Sequence, residues 1–331
     1  MTSAPAHKVI FDTDPGVDDA MALLFLHRHP AIELLGITTV HGNADIDTTT
    51  RNACYLAERF AIEAPVARGA REPLAMAKSA SPAMVHGDDG LGNVGLSFTP
   101  SREPDPRPAY RWIIDTVRAH PGEVTLIAVG PLTNLALALK EDPAIAELVK
   151  AVVIMGGAFG VDGQGGNVTP AAEANIHGDA LAADLVFTAP WPVTAVGLDV
   201  THRVLMSNAD FAQLRERGGE DGAFMWQISR HYVDFYSARE AIDGCYVHDS
   251  SAVAYVIEPS LFEVRRGPVR AVTTGIAMGQ TLQRPDDRDF PPGDWDGLPS
   301  QQACVAVDAE RLLALFKETF IDAESAPVDP A

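Results

Sequence analysis

Across residues 8–26 the chain passes from a short apolar run, Val9-Ile10-Phe11, through Asp12-Thr13-Asp14-Pro15-Gly16 and Asp18-Asp19 into apolar positions at helical spacing. A run this short, ended by turn residues, predicts a buried β-strand, a tight turn and a helix, with Asp14 suited to the N-cap and Pro15 to the first helical position. The same alternation recurs downstream. Apolar runs at 33–40, 65–68, 124–129, 151–155 and 193–198 read as strands, and helical spacing covers 47–60, 110–120, 132–140, 179–188 and 309–320. Residues 207–237 read as mostly helical and 250–257 as a further helix, while 271–277 and 303–307 are β-rich. Strands alternating with helices predict an α/β fold, a mostly parallel sheet covered by helices on both faces.

Two stretches break the rhythm. Residues 69–108 and 158–178 are rich in Gly, Pro, Ser and Asp, and irregular segments of that length in a compact domain are usually functional loops. No repeat, low-complexity tract or linker divides the chain, so residues 1–331 are expected to form a single domain with flexible ends at 1–7 and 323–331.

The predicted first turn gathers Asp12, Asp14, Asp18 and Asp19 at the carboxyl end of a strand, where open α/β sheets place their ligands. Helix-dipole complementation accounts for Asp18 and Asp19 at best. Crowded carboxylates repel unless a cation or protons neutralise them, so a hard divalent cation is the better reading. Other polar residues recur just after predicted strands or in the Gly-rich loops: Asn43, the Val129-Gly130 backbone, and Asn167, Glu173 and Asn175. Strand ends of a parallel sheet converge, so these groups can share one crevice. A site of Asp, Asn and a backbone carbonyl suits calcium slightly better than magnesium, which keeps more of its water. The Asn167, Glu173 and Asn175 trio has the hydrogen-bonding capacity to bind sugar hydroxyls. His248-Asp249 reads by itself as an ordinary helix start, His86 as a surface histidine, and Tyr232 and Tyr236, at helical spacing, as core packing.

Composition narrows the classes. The formal net charge of −20 argues against binding nucleic acid through its phosphates, though not against an uncharged nucleoside. No stretch approaches the ~20 apolar residues of a membrane span. The three cysteines, Cys54, Cys245 and Cys304, have no metal spacing and read as thiols of a reducing compartment, which makes the cytoplasm the expected location.

The blocks DTDPGVDDAMAL (12–23), ITTVHGN (37–43), VGPLTNLALAL (129–139), VIMGGAF (153–159), GNVTPAAEANIHGD (166–179), GLDVTH (197–202) and VHDSSAVAYV (247–256) resemble, in the same order, the inosine–uridine-preferring nucleoside hydrolase family. The resemblance spans nearly the whole chain. It implies a Rossmann-like α/β fold, a bound calcium ion, a homodimer or homotetramer, and hydrolysis of the N-glycosidic bond of ribonucleosides in purine or pyrimidine salvage. Carried over by motif, Asp14, Asp19 and Asp249 match calcium-ligating carboxylates that also hold substrate at Asp14 and Asp249, and the Val129 carbonyl matches a further ligand. Asp18 matches the general base that takes the proton of the attacking water. Asn43 is similar to an Asn beside that water, and Asn167, Glu173 and Asn175 to the ribose-hydroxyl binders. His248 matches an acid near the nucleobase, His86 a loop residue at the same end, and Asp12 a position with a supporting role.

Two positions depart from the family's pattern: Ser250 stands where Pro often follows His-Asp, and Ala174 where a larger residue is common. Two other readings compete. FDTD resembles the DxD motif of haloacid-dehalogenase-like phosphatases, which would use magnesium, but that leaves DPGVDD and GNVTPAAEAN unexplained. A calcium-dependent nucleoside-binding protein without catalysis would not need both Asp18 and His248.

Overall fold

The computed structural model describes residues 7–77 and 81–321. Its strands are β1 (His7–Thr13), β2 (Ile32–Thr39), β3 (Val66–Ala67), β4 (Val124–Ala128), β5 (Ala151–Met155), β6 (Val193–Val196), β7 (Leu205–Ser207), β8 (Gly244–Tyr246), β9 (Phe262–Gly267), β10 (Val269–Ala271), β11 (Thr281–Gln283) and β12 (Gln301–Val307). Eight of them form one sheet in the order β3-β2-β1-β4-β5-β6-β12-β9, parallel throughout except for β9, which runs antiparallel to β12 at the edge. The mostly parallel sheet with helices on both faces is the predicted architecture. The order of its first six strands is the Rossmann order, and the direction of winding reverses between β1 and β4.

The central strands β4 and β5 are apolar at nearly every position because both of their faces are covered. Phe11, Val153 and Met155 point to one core, built with the helices Val17–Arg28, Gly219–Glu240 and Asp249–Ile257. Ile10, Val152 and Ile154 point to the other, with the helices Ala109–Ala119, Thr133–Glu141 and Ala180–Thr188. Among the described residues no helix is long and apolar enough to cross a membrane.

Several expectations need correction. Gly16, not Asp14, is the N-cap of the first helix, which starts at Val17, so Pro15 lies outside it. The region at 207–237 is mostly helical as expected, as two helices, Asn208–Arg217 and Gly219–Glu240, that meet at Gly218. Short helices at Ala83–His86 and Ala174–Gly178 interrupt the two irregular stretches. His7, assigned to a flexible end, pairs with Ile32 in the sheet, while 1–6 and 323–331 lie outside the described residues.

The sheet and its helices pack closely at Gly36 in β2. A Cβ there would lie 2.1 Å from Cη2 of Trp112, itself buried. Gly36→Ala is therefore expected to destabilise the fold by about 1–3 kcal/mol, the usual cost of overpacking. A lower urea midpoint with unchanged kcat at 25 °C would bear this out; an unchanged midpoint would mean that Trp112 moves freely.

Candidate active site

The turn after β1 is shaped by Asp19. Its Oδ1 accepts from the Thr13 hydroxyl (2.5 Å) and the Asp14 amide (3.1 Å), and its Oδ2 from the Gly16 amide and Asn43 Nδ2 (both 2.9 Å). The Asn43 backbone amide donates to Asp14 Oδ2 at 2.7 Å. The carboxylate of Asp14 is packed between two glycines: a Cβ on Gly42 would lie 1.9 Å from its Oδ2 and one on Gly130 2.5 Å from its Oδ1. Asp12 sits beneath, accepting from Thr38 (2.5 Å) and Asn134 (2.7 Å), and burial lifts its carboxyl to about 7.

Asp14, Asp18, Asp19 and Asp249 are all buried, and ligand atoms of Asp18, Asp19 and Asp249 lie within 4.8 Å of one another. Burial, with repulsion from the neighbouring carboxylates, holds Asp14 and Asp249 well above the ordinary carboxylate range, and the same two causes raise Asp19. Burial raises Asp18 to about 6, against the opposing Tyr232 hydroxyl that donates to its Oδ2 at 3.1 Å. Among the described residues, Asp14 Oδ1 and Asp18 Oδ1 are buried with no hydrogen-bond partner. Unpartnered carboxylate oxygens grouped with further buried carboxylates fit a divalent cation, and the all-oxygen donor set excludes a preference for soft metals.

A cavity of about 420 Å³ opens above this cluster, within the range of small-molecule sites. Asp18, Asn43, His86, Val129, Asn167, Glu173, Asn175, His248 and Asp249 all line it, so the structure brings these predicted residues together. Asp14 instead faces an adjoining cavity of about 210 Å³, with Asn43 and Asn175 in the shared wall, and Asp19 lines neither. Glu173 caps the helix Ala174–Gly178, accepting from the amides of Asn175 (2.9 Å), Gly157 (3.0 Å) and Ile176 (3.1 Å). Asn175 Nδ2 donates to the Val129 carbonyl at 2.8 Å and the Met155 carbonyl at 3.1 Å, which joins the carboxyl ends of β4 and β5. Asn167 lies at the exposed rim and accepts from the Ala174 amide at 3.0 Å.

His86 is buried, not on the surface. Its Nδ1 accepts from the Val17 amide at 3.2 Å, 3.8 Å from Asp18 Oδ1, and its ring stacks on Tyr232. Burial lowers its pKa to about 4, which keeps the ring neutral and leaves Nε2 as the protonated nitrogen. Both nitrogens of His248 are occupied, Nδ1 by the Thr201 hydroxyl (2.8 Å) and Nε2 by the Tyr236 hydroxyl (2.9 Å). Burial holds its pKa well below the usual histidine value. Tyr232 and Tyr236 are thus not core packing alone: each lines the cavity and bonds a predicted site residue. The signal for them was in the sequence, since a buried tyrosine hydroxyl needs a partner. Thr201 and His202, the latter also in the cavity wall, lie in the GLDVTH block, which carried no assigned role.

The family model described as inosine-uridine preferring nucleoside hydrolase matches residues 9–314. Uridine nucleosidase 1 of Arabidopsis thaliana is 40% identical over 94% of this chain and 92% of its own length. The inosine-uridine preferring nucleoside hydrolase of Crithidia fasciculata is 40% identical over 83% of this chain and 87% of its own. A solved plant nucleoside hydrolase superposes with a TM-score of 0.92 at 39% identity, covering 96% of this chain and 100% of that one. With the order of the strands, the cavity at their carboxyl ends and these matches in agreement, the chain belongs to the inosine-uridine preferring nucleoside hydrolase family and is a hydrolase of the ribonucleoside N-glycosidase type.

Proposed function

We propose that this enzyme binds a ribonucleoside in the 420 Å³ cavity, ribose towards the carboxylates and base towards His86 and His248, and hydrolyses it to ribose and free nucleobase with calcium bound. The observation that carries this reading is the pair of buried, unpartnered oxygens on Asp14 and Asp18 beneath a cavity walled by Asn43, Glu173 and Asn175. Asp14, Asp19, Asp249 and the Val129 carbonyl would hold the cation, whose chemistry when bound is to neutralise the carboxylates and make water more acidic.

In the reaction the C1′–N bond breaks through an oxocarbenium-like transition state, water adds to C1′ and the departing base gains a proton. Asp18 Oδ1 takes the proton from the water. Tyr232 holds the other oxygen, which leaves Oδ1 free to accept it. Asp14 Oδ1 is equally free, and a second reading gives it this role. Asn167, Glu173 and Asn175 orient the ribose hydroxyls, which fixes C1′ against the water. On the base side His248 acts through the Tyr236 hydroxyl that occupies its Nε2, while the protonated Nε2 of His86 offers a second donor. A homodimer or homotetramer serving nucleoside salvage in the cytoplasm fits this chemistry.

The test is an assay of free ribose from inosine, uridine, cytidine and adenosine, with calcium and after chelation. Calcium-dependent release supports the proposal, and the ranking of substrates gives the base preference. Nucleoside binding without release would point to a binding protein instead.

A further inference from the structure

Asn52 lies on the helix Ile46–Arg59, is fully buried and does not line the cavity. Its Nδ2 donates to two carbonyl oxygens from separate parts of the chain, Pro15 at 3.1 Å and Asp89 at 3.0 Å. Its Oδ1 accepts from Arg51 Nε (3.2 Å) and Nη2 (2.9 Å), and the same Nη2 reaches the Asp89 carbonyl at 2.9 Å. One carbonyl belongs to the turn between Asp14 and Asp18, the other to the loop that follows His86.

That loop is organised around Asp89, whose carboxylate accepts from the amides of Leu91 (2.7 Å), Asn93 (2.9 Å) and Gly95 (3.1 Å). Gly90, at φ +78°, permits the contact with Asn52: a Cβ there would lie 2.8 Å from Asn52 Nδ2 and 3.4 Å from the Pro15 carbonyl. The loop and the turn meet a second time where the Val17 amide donates to His86 Nδ1.

We propose that Asn52 is a positioning residue for hydrolysis: its side-chain amide clamps the 86–95 loop to the Asp14–Asp19 turn and so sets His86 against Asp18 and Tyr232. The inference rests on the nucleoside occupying this cavity. When the amide is removed the Pro15 carbonyl loses a buried donor, the Asp89 carbonyl keeps Arg51 Nη2, and the wall that carries His86 loses one of its two ties to the turn, keeping the Val17 amide.

The experiment uses Asn52→Leu, Asp89→Ala and the double variant of the full chain, assayed with calcium and uridine or inosine, and followed by hydrogen exchange. Asn52→Leu is expected to raise KM and to lower kcat/KM by roughly 10–100-fold, the scale of a lost buried hydrogen bond with its partner left unsatisfied. Asp89→Ala, which keeps the carbonyl but removes the carboxylate that shapes the loop presenting it, is expected to act in the same direction. The double variant should be little worse than the poorer single one, since both break one clamp. Exchange of the Val17 amide should quicken in both, although neither substitution touches Val17. Should Asn52→Leu fail to fold, Asp89→Ala on the loop still has to raise KM and expose Val17. Unchanged KM and kcat, additive losses, or a Val17 amide still protected in Asp89→Ala would overturn the clamp. Unaltered enzyme that releases no ribose would instead count against the proposed reaction, leaving Val17 exchange to decide on Asn52.

Discussion

Asp18→Asn is expected to lower kcat by about 10²–10⁴-fold, the range of a lost general base, with a much smaller change in KM. The amide has the shape of the carboxylate and can still accept from the Tyr232 hydroxyl, so the cavity wall is kept. What it lacks is the free carboxylate oxygen, now buried without a partner, that can take a proton. Asp14→Asn is the necessary comparison, because Asp14 Oδ1 is also unpartnered and fits a slot bounded by Gly42 and Gly130. Steady-state and single-turnover measurements on the two variants separate the assignments. If, at a calcium concentration that saturates each variant, Asp18→Asn turns over normally while Asp14→Asn does not, the proton goes to Asp14. Asp19 is not a rival, since both of its oxygens are held by the turn and by Asn43.

How much of this was legible beforehand depends on the range of the interaction concerned. The parallel sheet was legible because strands covered on both faces, such as β4 and β5, are apolar at nearly every position. The crowding of carboxylates after β1 was legible because it is local. Long-range partners were not. The role of Asp14 as a cap looked sound from Asp-Pro-Gly, but its oxygens answer to Asn43, Gly42 and Gly130, which local preference does not encode. His86 looked like a surface residue because its loop is polar; the loop's own polar groups satisfy one another and fold the histidine inward. Tyr232 and Tyr236 carry the helical spacing of core residues and do pack as such, yet their hydroxyls bond Asp18 and His248, which lie on other elements. The family blocks located the candidate residues without saying which oxygens are free, and that distinction drives the choice between Asp14 and Asp18.

Asp249→Asn is expected to shift thermal unfolding in opposite directions with and without calcium. After chelation, Asp249 is one of three buried carboxylates with ligand atoms within 4.8 Å, and removing its charge relieves repulsion, so the variant should unfold at a higher temperature than the unaltered enzyme. With calcium the sign reverses. Ligand charge count tunes calcium affinity over several orders of magnitude, so loss of one carboxylate should weaken binding on the order of 10²-fold or more. At a calcium concentration that saturates the unaltered enzyme about 100-fold above its Kd, that removes most of some ~2.7 kcal/mol of binding-linked stability. Ribose release should fall in parallel and recover partly at high calcium. Asp249 is a cleaner probe than Asp19, whose carboxylate also holds the turn through Thr13, Gly16 and Asn43. Calorimetry of both proteins, each with and without calcium, reads both signs. An equal calcium-induced shift in variant and unaltered enzyme would remove Asp249 from the metal site, whereas a destabilised variant in both conditions would make its role structural. The opposed signs are what a charge cluster built for a cation, and not for its own stability, requires.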